Sequence, residues 1–295
     1  MSRHSVTTLM ALVIASGLVS SARSQFYDPN GYGNSWNNNN NNNSSSSSSS
    51  SSSALNPTYL TSVTGATLSS YQTLTIPLGY SFASKTYLAA SDSTSASFQL
   101  LEPTYMSLIL SNLKEGVAFT GAGLNQLDPT RLYFWFSYTP RCYFIYGYAS
   151  YIDGFGVTVA NVSAPTSTEV QGTNITCLSD VHWNGSTSRT STYPVLPGDF
   201  VQLPTVSAGQ QLAFFCYSNE SSNGTPANVW YNGAANNSDG FQHMIAFFPD
   251  NSQYIIIGFE DYPGGGDQDC NDVMFVVDIG AQNAAALRSA SSLPK

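Results

Sequence analysis

One stretch of the chain, residues 258–278, limits the possible folds more than any other. It reads GFEDYPGGGDQDCNDVMFVVD, and the apolar runs 254–257 and 273–277 lead into and out of its acidic part. No Lys or Arg occurs between residues 190 and 287, so the acidic part has no counter-charge nearby in the sequence. Two carboxylates about 5 Å apart repel each other by roughly 3 kcal/mol at an effective dielectric constant of about 20. We therefore expect a loop between two core strands that is either well solvated or holds a cation.

The loop carries six oxygen-bearing side chains that we interpret as calcium ligands: Glu260, Asp261, Asp267, Asp269, Asn271 and Asp272. Asp267, Asp269 and Asn271 alternate along the chain, as ligands do in the first half of an EF-hand loop. An EF-hand would also need flanking helices, whereas the run after Asp272 is β-branched and typical of a strand. The sequence therefore predicts calcium ligands on a strand–loop–strand, with glycines 264–266 letting the chain fold back over the ion.

The acidic side chains also have an explanation that needs no metal. Asp and Asn side chains cap turns by accepting hydrogen bonds from backbone N–H groups. Capping would account for Asp267, Asn271 and Asp272, but less readily for five carboxylates in one loop. We expect His243, at the start of a predicted strand, to be hydrogen-bonded and not a metal ligand, because calcium prefers oxygen donors.

The first 24 residues have the pattern of a secretory signal peptide. A weakly basic start is followed by an apolar core and by small residues at the cleavage position. The apolar run is shorter than the about 20 residues that a membrane-spanning helix needs. We therefore expect a secreted, extracellular protein without membrane insertion. Residues 25–54, which contain the asparagine run 37–43 and the serine run 44–53, are predicted to form a disordered low-complexity linker.

The remaining chain predicts an all-β fold. Residues 55–160 read as a β-rich region, with a hairpin over 131–148 and a short helix over 105–115. Residues 161–194 read as a loop-rich connection. Residues 195–280 have the strand lengths and spacing of an antiparallel β-sandwich or jelly roll. The strands predicted in this last region cover 200–203, 211–217, 229–231, 243–248, 254–259 and 273–279, and the tail 281–295 is predicted to be disordered.

Charge and composition exclude some functions. The net charge is −9, and removing Arg3 and Arg23 with the signal peptide makes it −9 − 2 = −11. Such an acidic chain lacks the basic patches that nucleic-acid binding requires, so we expect no nucleic-acid partner. Few charged residues and many aromatic ones are typical of a β-rich extracellular module.

The cysteines and sequons fit a secreted glycoprotein. Cys142, Cys177, Cys216 and Cys270 have no spacing that suggests a zinc site. An even number in a secreted chain favours two disulfides, and of the three connectivities we prefer Cys142–Cys177 with Cys216–Cys270. Sequons that would be glycosylated in a secreted protein occur at Asn161, Asn174, Asn184, Asn219, Asn223 and Asn236, with Asn42 and Asn43 in the linker.

Residues 205–279 resemble a widespread family of secreted domains of unknown function. The resemblance consists of Ala208-Gly209 followed by Leu212 and Phe214, the step from Asp239-Gly240 to His243, and the long motif from Gly258 to Phe275. The family's motif is GFEDxxGGGDxD(F/Y)NDVxF. The resemblance implies a C-terminal β-sandwich with calcium binding and brings no known enzymatic activity. Cys270 departs from the family's aromatic residue, so it either tethers the loop through a disulfide or is a buried thiol.

Three functions remain compatible with these observations. The first is a noncatalytic extracellular-matrix or surface protein that binds calcium, in a mineralised or protective matrix. The second is a calcium-dependent carbohydrate-binding adhesion module, in which exposed Trp183, Trp230 and Tyr231 stack on glycans. Exposed coplanar aromatic rings would favour this second function, and aromatic rings buried in the sandwich would favour the first.

The third function is a glycoside hydrolase that uses Glu260 with Asp261 or Asp267 as its carboxylate pair. Neighbouring residues of a strand point to opposite faces, so Glu260 and Asp261 make a poor pair. The three histidines of the whole chain also leave few general bases. We therefore expect no catalytic residues, calcium as the only cofactor, and matrix components or glycans as partners.

Overall fold

The structure is a computed structural model that describes residues 79–81, 86–87, 92–162, 164, 173–178, 181–183, 185–187, 193, 195–218, 227–249 and 251–291. The predicted signal peptide 1–24 and linker 25–54 lie outside these residues, as do the sequons at Asn184, Asn219 and Asn223. None of the helices in the described part of the chain combines the length and the apolar character that crossing a membrane requires.

Strands dominate the described residues. The strands are β1 (Gly79–Ser81), β2 (Thr86–Tyr87), β3 (Asn125–Leu127), β4 (Leu132–Tyr133), β5 (Arg141–Tyr146), β6 (Gly154–Asn161), β7 (Thr173–Leu178), β8 (Phe200–Gln202), β9 (Gln210–Ser218), β10 (Asn228–Tyr231), β11 (Met244–Phe248), β12 (Tyr254–Phe259) and β13 (Val273–Asp278). The α-helices are α1 (Ser93–Asn112) and α2 (Ala281–Ser291), and short 3-10 turns cover Ala234–Asn236 and Pro263–Gly265.

The strands form two sheets, which confirms the predicted all-β sandwich. The larger sheet has the order β2-β1-β8-β5-β13-β12-β11-β3, and the smaller has the order β10-β9-β6-β7 with β4 beside β9. Neighbouring strands are antiparallel except β1 and β8, which are parallel. The predicted regions 55–160 and 195–280 both supply strands to both sheets. The connection between them, 161–194, supplies β7, although it was predicted to be loop-rich.

The larger sheet is covered on both faces, which explains the apolar runs around the acidic loop. On β13, Phe275 and Val277 belong to the core between the sheets. Met274 and Val276 belong to a second core, which includes Phe98 of α1. Burying one such side chain contributes about 1.5–3 kcal/mol. A strand between two apolar layers has no polar face, so β13 is apolar at each position from Val273 to Val277.

Helix α1 is longer than the predicted helix 105–115. It begins after Asp92, whose carboxylate accepts a hydrogen bond from the N–H of Ser95. The same carboxylate forms an ion pair with Arg141 of β5. This arrangement is an N-cap, and it satisfies a backbone donor that the first helical turn leaves open. Pro103 lies inside the helix and disfavours a helical interpretation of the first half from sequence alone.

The predicted hairpin over 131–148 is wrong. β4 pairs with β9 in the smaller sheet, whereas β5 lies between β8 and β13 in the larger one. The segment between them runs beside residues 206–210, where Tyr138 and Val206 exchange backbone hydrogen bonds. The Thr-Pro-Arg turn therefore moves the chain from one sheet to the other instead of reversing it within one sheet.

The predicted disorder of the tail 281–295 is wrong for residues 281–291, which form α2. Ala284 and Leu287 are buried in the core between the sheets. Asn283 binds the backbone of 135–136 and is also buried. Burial of this apolar edge stabilises a helix whose Ala-rich sequence has few other signals.

The two predicted disulfides are not formed, although all four cysteines are buried. Cys142 and Cys177 lie on β5 and β7, in different sheets, and both belong to the core between the sheets. In such positions a thiol packs as a small apolar side chain. Burial raises the pKa of Cys142 and of Cys177 well above the usual range, which keeps both thiols neutral.

Candidate metal centre

The acidic loop, residues 260–272, connects two paired strands. Phe259 at the end of β12 pairs with Val273 at the start of β13. Both ends of the loop therefore meet where these two neighbouring strands of the larger sheet end and begin. The loop returns so closely that a Cβ atom at Gly258 would lie 2.3 Å from the carbonyl oxygen of Cys270. Only glycine fits there, and this close approach fixes the last part of the loop against the strand.

The glycines 264–266 fold the chain over Glu260. Their φ angles are +78°, +81° and +42°, which residues other than glycine rarely adopt. A Cβ atom at Gly266 would lie 2.0 Å from Oε1 of Glu260. The loop therefore holds the Glu260 carboxylate directly beneath a backbone turn.

Two overlapping groups of carboxylates form at this loop. Oxygen atoms of Glu260, Asp269 and Asp272 lie within 4.8 Å of one another, and so do oxygen atoms of Glu115, Asp267 and Asp269. Asp269 belongs to both groups. Glu115 lies in the connection between α1 and β3 and was missed by the sequence analysis, because nothing in its local pattern distinguishes it from a solvated surface residue.

Asp261 has a different environment from the other predicted ligands. Its carboxyl group interacts with Asp153, a buried residue that precedes β6 and was also missed. Its carbonyl oxygen accepts hydrogen bonds from Ser218 Oγ at 2.6 Å and Trp230 Nε1 at 2.7 Å. Its N–H donates to Oδ2 of Asp272 at 2.9 Å. The backbone of Asp261 thus anchors the loop to β9 and β10, while its carboxyl group faces β6.

Burial and mutual repulsion disfavour ionisation of these carboxyl groups. Burial, together with the charges of Asp267 and Asp269, raises the pKa of Glu260 to about 7. Burial, followed by the charge of Asp261, raises the pKa of Asp272 to about 9. Burial, followed by the charge of Asp153, raises the pKa of Asp261 to about 9. In the described part of the chain, no Lys or Arg forms an ion pair with any of the five carboxylates of the loop.

Backbone hydrogen bonds account for part of the cluster, as the metal-free explanation requires. The N–H of Gln268 donates to Oε2 of Glu260 at 3.1 Å. The N–H groups of Asn271 and Gly116 donate to the two carboxylate oxygens of Asp269 at 3.0 and 2.9 Å. These bonds shape the loop and attach it to the segment after α1. They bring no positive charge, so the repulsion between the carboxylates remains.

Asn271 carries a buried oxygen that capping does not explain. The residue is 1% exposed, and its Oδ1 accepts no hydrogen bond. Its side chain lies within hydrogen-bonding range of the Asp269 carboxylate. A buried polar atom without a partner costs about 1–3 kcal/mol. An amide oxygen beside a carboxylate is a ligand type that calcium sites use.

His243 supports the loop from behind and is hydrogen-bonded, as predicted. Its Nδ1 lies 2.8 Å from the carbonyl oxygen of Glu260, and its Nε2 lies 2.9 Å from Oδ2 of Asp239. The ring stacks on Trp230 with a centroid distance of 3.9 Å. Asp239 also accepts a hydrogen bond from the N–H of Gly264 at 2.7 Å, so it joins the histidine to the glycine turn.

The aromatic residues predicted to contact sugars are not on the surface as a group. Trp230 is 1% exposed, and its indole N–H is used inside the molecule. Trp183 and Tyr231 are partly buried. The prediction of exposure is therefore wrong for Trp230, because β10 packs this ring against His243.

Two of the sequons have exposed asparagines, Asn161 at the end of β6 and Asn236 in a 3-10 turn. The side chain of Asn174 on β7 lies outside the described residues.

Comparison with known proteins identifies one domain. Residues 206–280 match the family model described as "Domain of unknown function (DUF4114)". The match confirms the resemblance of this C-terminal part to a domain of unknown function, and it includes every predicted metal ligand. Glu115 and Asp153 lie outside it. No curated protein and no solved structure matches the chain.

Proposed function

We propose that this chain is a secreted, noncatalytic extracellular-matrix or surface protein whose loop 260–272 binds calcium. One observation carries the proposal. Glu260, Asp269 and Asp272 place carboxylate oxygens within 4.8 Å of one another, beside the buried and unsatisfied Oδ1 of Asn271. A cation bound there would relieve the repulsion and satisfy the amide oxygen together.

The donor set favours calcium over a transition metal. All of the clustered donors are oxygens, which hard cations prefer. Both nitrogens of His243 already lie within hydrogen-bonding distance of Glu260 and Asp239. Burial raises the pKa of Cys270 well above the usual range of a thiol, so a thiolate ligand is disfavoured.

The extracellular role rests on the signal-peptide pattern of residues 1–24 and on the acidic composition. Extracellular calcium sites have dissociation constants of about 10⁻⁴ to 10⁻³ M, a range that suits a site built from one loop. An acidic chain with an Asn/Ser-rich spacer suits a mineralised or protective matrix. The separate environment of Asp261, beside Asp153, supports a noncatalytic role, because it takes Asp261 out of a carboxylate pair with Glu260.

The test is a calorimetric calcium titration of the full chain, with thermal melts in calcium and in chelator. With a dissociation constant of about 10⁻⁴ to 10⁻³ M, 10 mM calcium stabilises the folded state by about 1.4–2.7 kcal/mol. Each kcal/mol raises Tm by about 2–4 °C for a protein of this size. No heat of binding and no shift in Tm at this calcium concentration would contradict the proposal.

The decisive variant is Asp269→Asn, because Asp269 belongs to both carboxylate groups. We expect it to abolish the heat of binding and the rise in Tm. The matched control is Asp128→Asn, which removes a carboxylate outside the loop, where Asp128 pairs with Arg131. The control should keep the full response to calcium, and an equal loss in both variants would show that overall charge, not the loop, is responsible.

A further inference from the structure

Two tyrosines, one partly buried and one exposed, stack on each other at the acidic loop. Tyr262 lies within the loop, and Tyr151 lies in the connection between β5 and β6. Their ring centroids are 5.9 Å apart and the rings are inclined by only 15°. Tyr262 is 54% exposed. We call Tyr151 and Tyr262 the tyrosine platform, and its nearly parallel rings offer a flat aromatic surface to a ligand.

The tyrosine platform adjoins the carboxylate cluster. A Cβ atom at Gly266 would lie 3.2 Å from Cβ of Tyr262 and 2.0 Å from Oε1 of Glu260. The backbone at Gly266 therefore lies against both Tyr262 and the Glu260 carboxylate. Phe241, which is 39% exposed, packs against the neighbouring Gly265 and adds a further aromatic ring to this loop.

The charge around the tyrosine platform selects a neutral partner. Between residues 190 and 287 there is no Lys or Arg, while the loop itself is strongly acidic. Anionic membranes, sulfated glycans and nucleic acids need positive charge on the protein, which the stretch that carries Tyr262 does not supply. A neutral sugar needs no such charge, and its apolar C–H face suits an aromatic ring.

We propose that the tyrosine platform and the acidic loop together bind a neutral glycan in a calcium-dependent manner. A pyranose ring stacks on Tyr262, supported from behind by Tyr151, and the ion holds in place the loop that carries Tyr262. The inference rests on the proposed calcium site. It assigns glycan recognition to Tyr151 and Tyr262, which replace the Trp183, Trp230 and Tyr231 expected from the sequence.

The experiment measures binding of the full chain to immobilised neutral polysaccharides (mannan, galactan and chitin oligosaccharides) in calcium and in chelator. We expect at least one of them to bind in calcium and to dissociate in chelator. Tyr262→Ala and Tyr151→Ala should each weaken that binding about tenfold, which corresponds to about 1.4 kcal/mol. Both variants should keep the rise in Tm with calcium, because neither tyrosine belongs to the carboxylate groups.

Phe136→Ala is the matched control. Phe136 is 45% exposed and its N–H donates a hydrogen bond to Asn283 of α2. Helix α2 follows the end of β13, whereas the acidic loop precedes the start of β13. Removing this aromatic ring should leave glycan binding unchanged.

Each contrary outcome identifies which proposal fails. A normal calcium response without binding to any of the three polysaccharides overturns the glycan site and leaves the calcium site standing. Binding that persists in chelator, or that both tyrosine variants leave unchanged, also overturns it. Tighter binding to heparin or to phosphatidylserine vesicles would show an anionic partner and contradict the charge argument. Loss of the calcium response in the wild-type chain would overturn the proposed function itself.

Discussion

At the scale of single residues, the carboxyl groups of Glu260, Asp261 and Asp272 combine burial with mutual repulsion. A proton stabilises each of them, and at Glu260 and Asp272 a cation competes with the proton for the same oxygens. The stability of the protein should therefore depend on pH differently with and without calcium.

The first prediction concerns pH without calcium. The pKa of Glu260 rises from 4.5 to about 7, and those of Asp261 and Asp272 rise from 3.8 to about 9. In this window the folded state binds more protons than the unfolded state, so the free energy of unfolding falls as pH rises. In chelator, the free energy of unfolding measured with urea should include the full stabilisation from these groups below about pH 4. That stabilisation should be lost progressively as the pH rises to about 9.

Calcium should flatten or reverse this dependence, because the ion binds the deprotonated carboxylates and becomes more effective as pH rises. The same urea series repeated in 10 mM calcium measures the difference. A stability in chelator that increases steadily across the window would contradict the burial of these carboxyl groups.

The residues of the loop could be predicted as a site because their spacing is local. Asp267, Asp269 and Asn271 alternate within five positions, and the glycines before them have conformations that few other residues adopt. Glu115 and Asp153 could not be predicted in the same way. Their contacts depend on where α1 ends and on how β6 packs, and neither is visible in the residues around them.

At the scale of elements, the hydrogen bonds of α2 to the sandwich centre on one buried amide, that of Asn283. Oδ1 of Asn283 accepts hydrogen bonds from the N–H groups of Trp135 and Phe136, both at 3.0 Å. Its Nδ2 donates to the carbonyl oxygens of Phe136 and Ile279. A single amide thus joins the helix to the crossing between the two sheets.

Asn283→Ala should lower the free energy of unfolding by about 1–3 kcal/mol, because it leaves partly buried backbone groups without partners. Urea unfolding monitored by circular dichroism measures the change. Gln282→Ala is the control, since Gln282 is exposed and adjacent. If both variants lose the same small amount, the asparagine does not anchor the helix.

The errors at this scale share a physical cause. The Thr-Pro-Arg sequence before β5 is a sound turn signal, but a turn does not decide which strand becomes the partner. The partners of β4 and β5, in different sheets, are decided by packing that involves residues after 200. The helix α2 likewise has weak local signals and is held by the core that it covers.

At the scale of the whole molecule, the segment that matches the domain family shares its sheets with residues outside the match. β9 pairs with β6 and β4, and β13 pairs with β5. Without these partners, buried strands would expose their apolar side chains and unpaired backbone groups. The match 206–280 thus covers only part of the sandwich that the chain forms.

A fragment of residues 206–280 should therefore not fold by itself. We expect no cooperative urea transition and little dispersion in its amide proton spectrum, while the full chain shows both. Cooperative unfolding of the fragment would mean that β9–β13 form a core without β5 and β6.

The fold class was predictable because it depends on local patterns, whereas the pairing of strands was not. The predicted strands 254–259 and 273–279 nearly coincide with β12 and β13. The apolar runs and turn residues that mark them are local. The order of strands within each sheet joins residues far apart in the chain, and one sequence contains no signal of comparable strength for it.

The pairing of β5 with β13 also sets the order in which the protein assembles during synthesis. β5 leaves the ribosome with residues 141–146, while both of its neighbours, β8 and β13, are still to be made. The edge of β5 that pairs with β8 stays open until residue 202 has emerged, and the edge that pairs with β13 stays open until residue 278 has emerged. Contacts between such distant segments slow folding, and open strand edges invite aggregation. We therefore expect β5, residues 141–146, to need shielding by a chaperone for longer than β6, whose partners β7 and β9 emerge by residue 218.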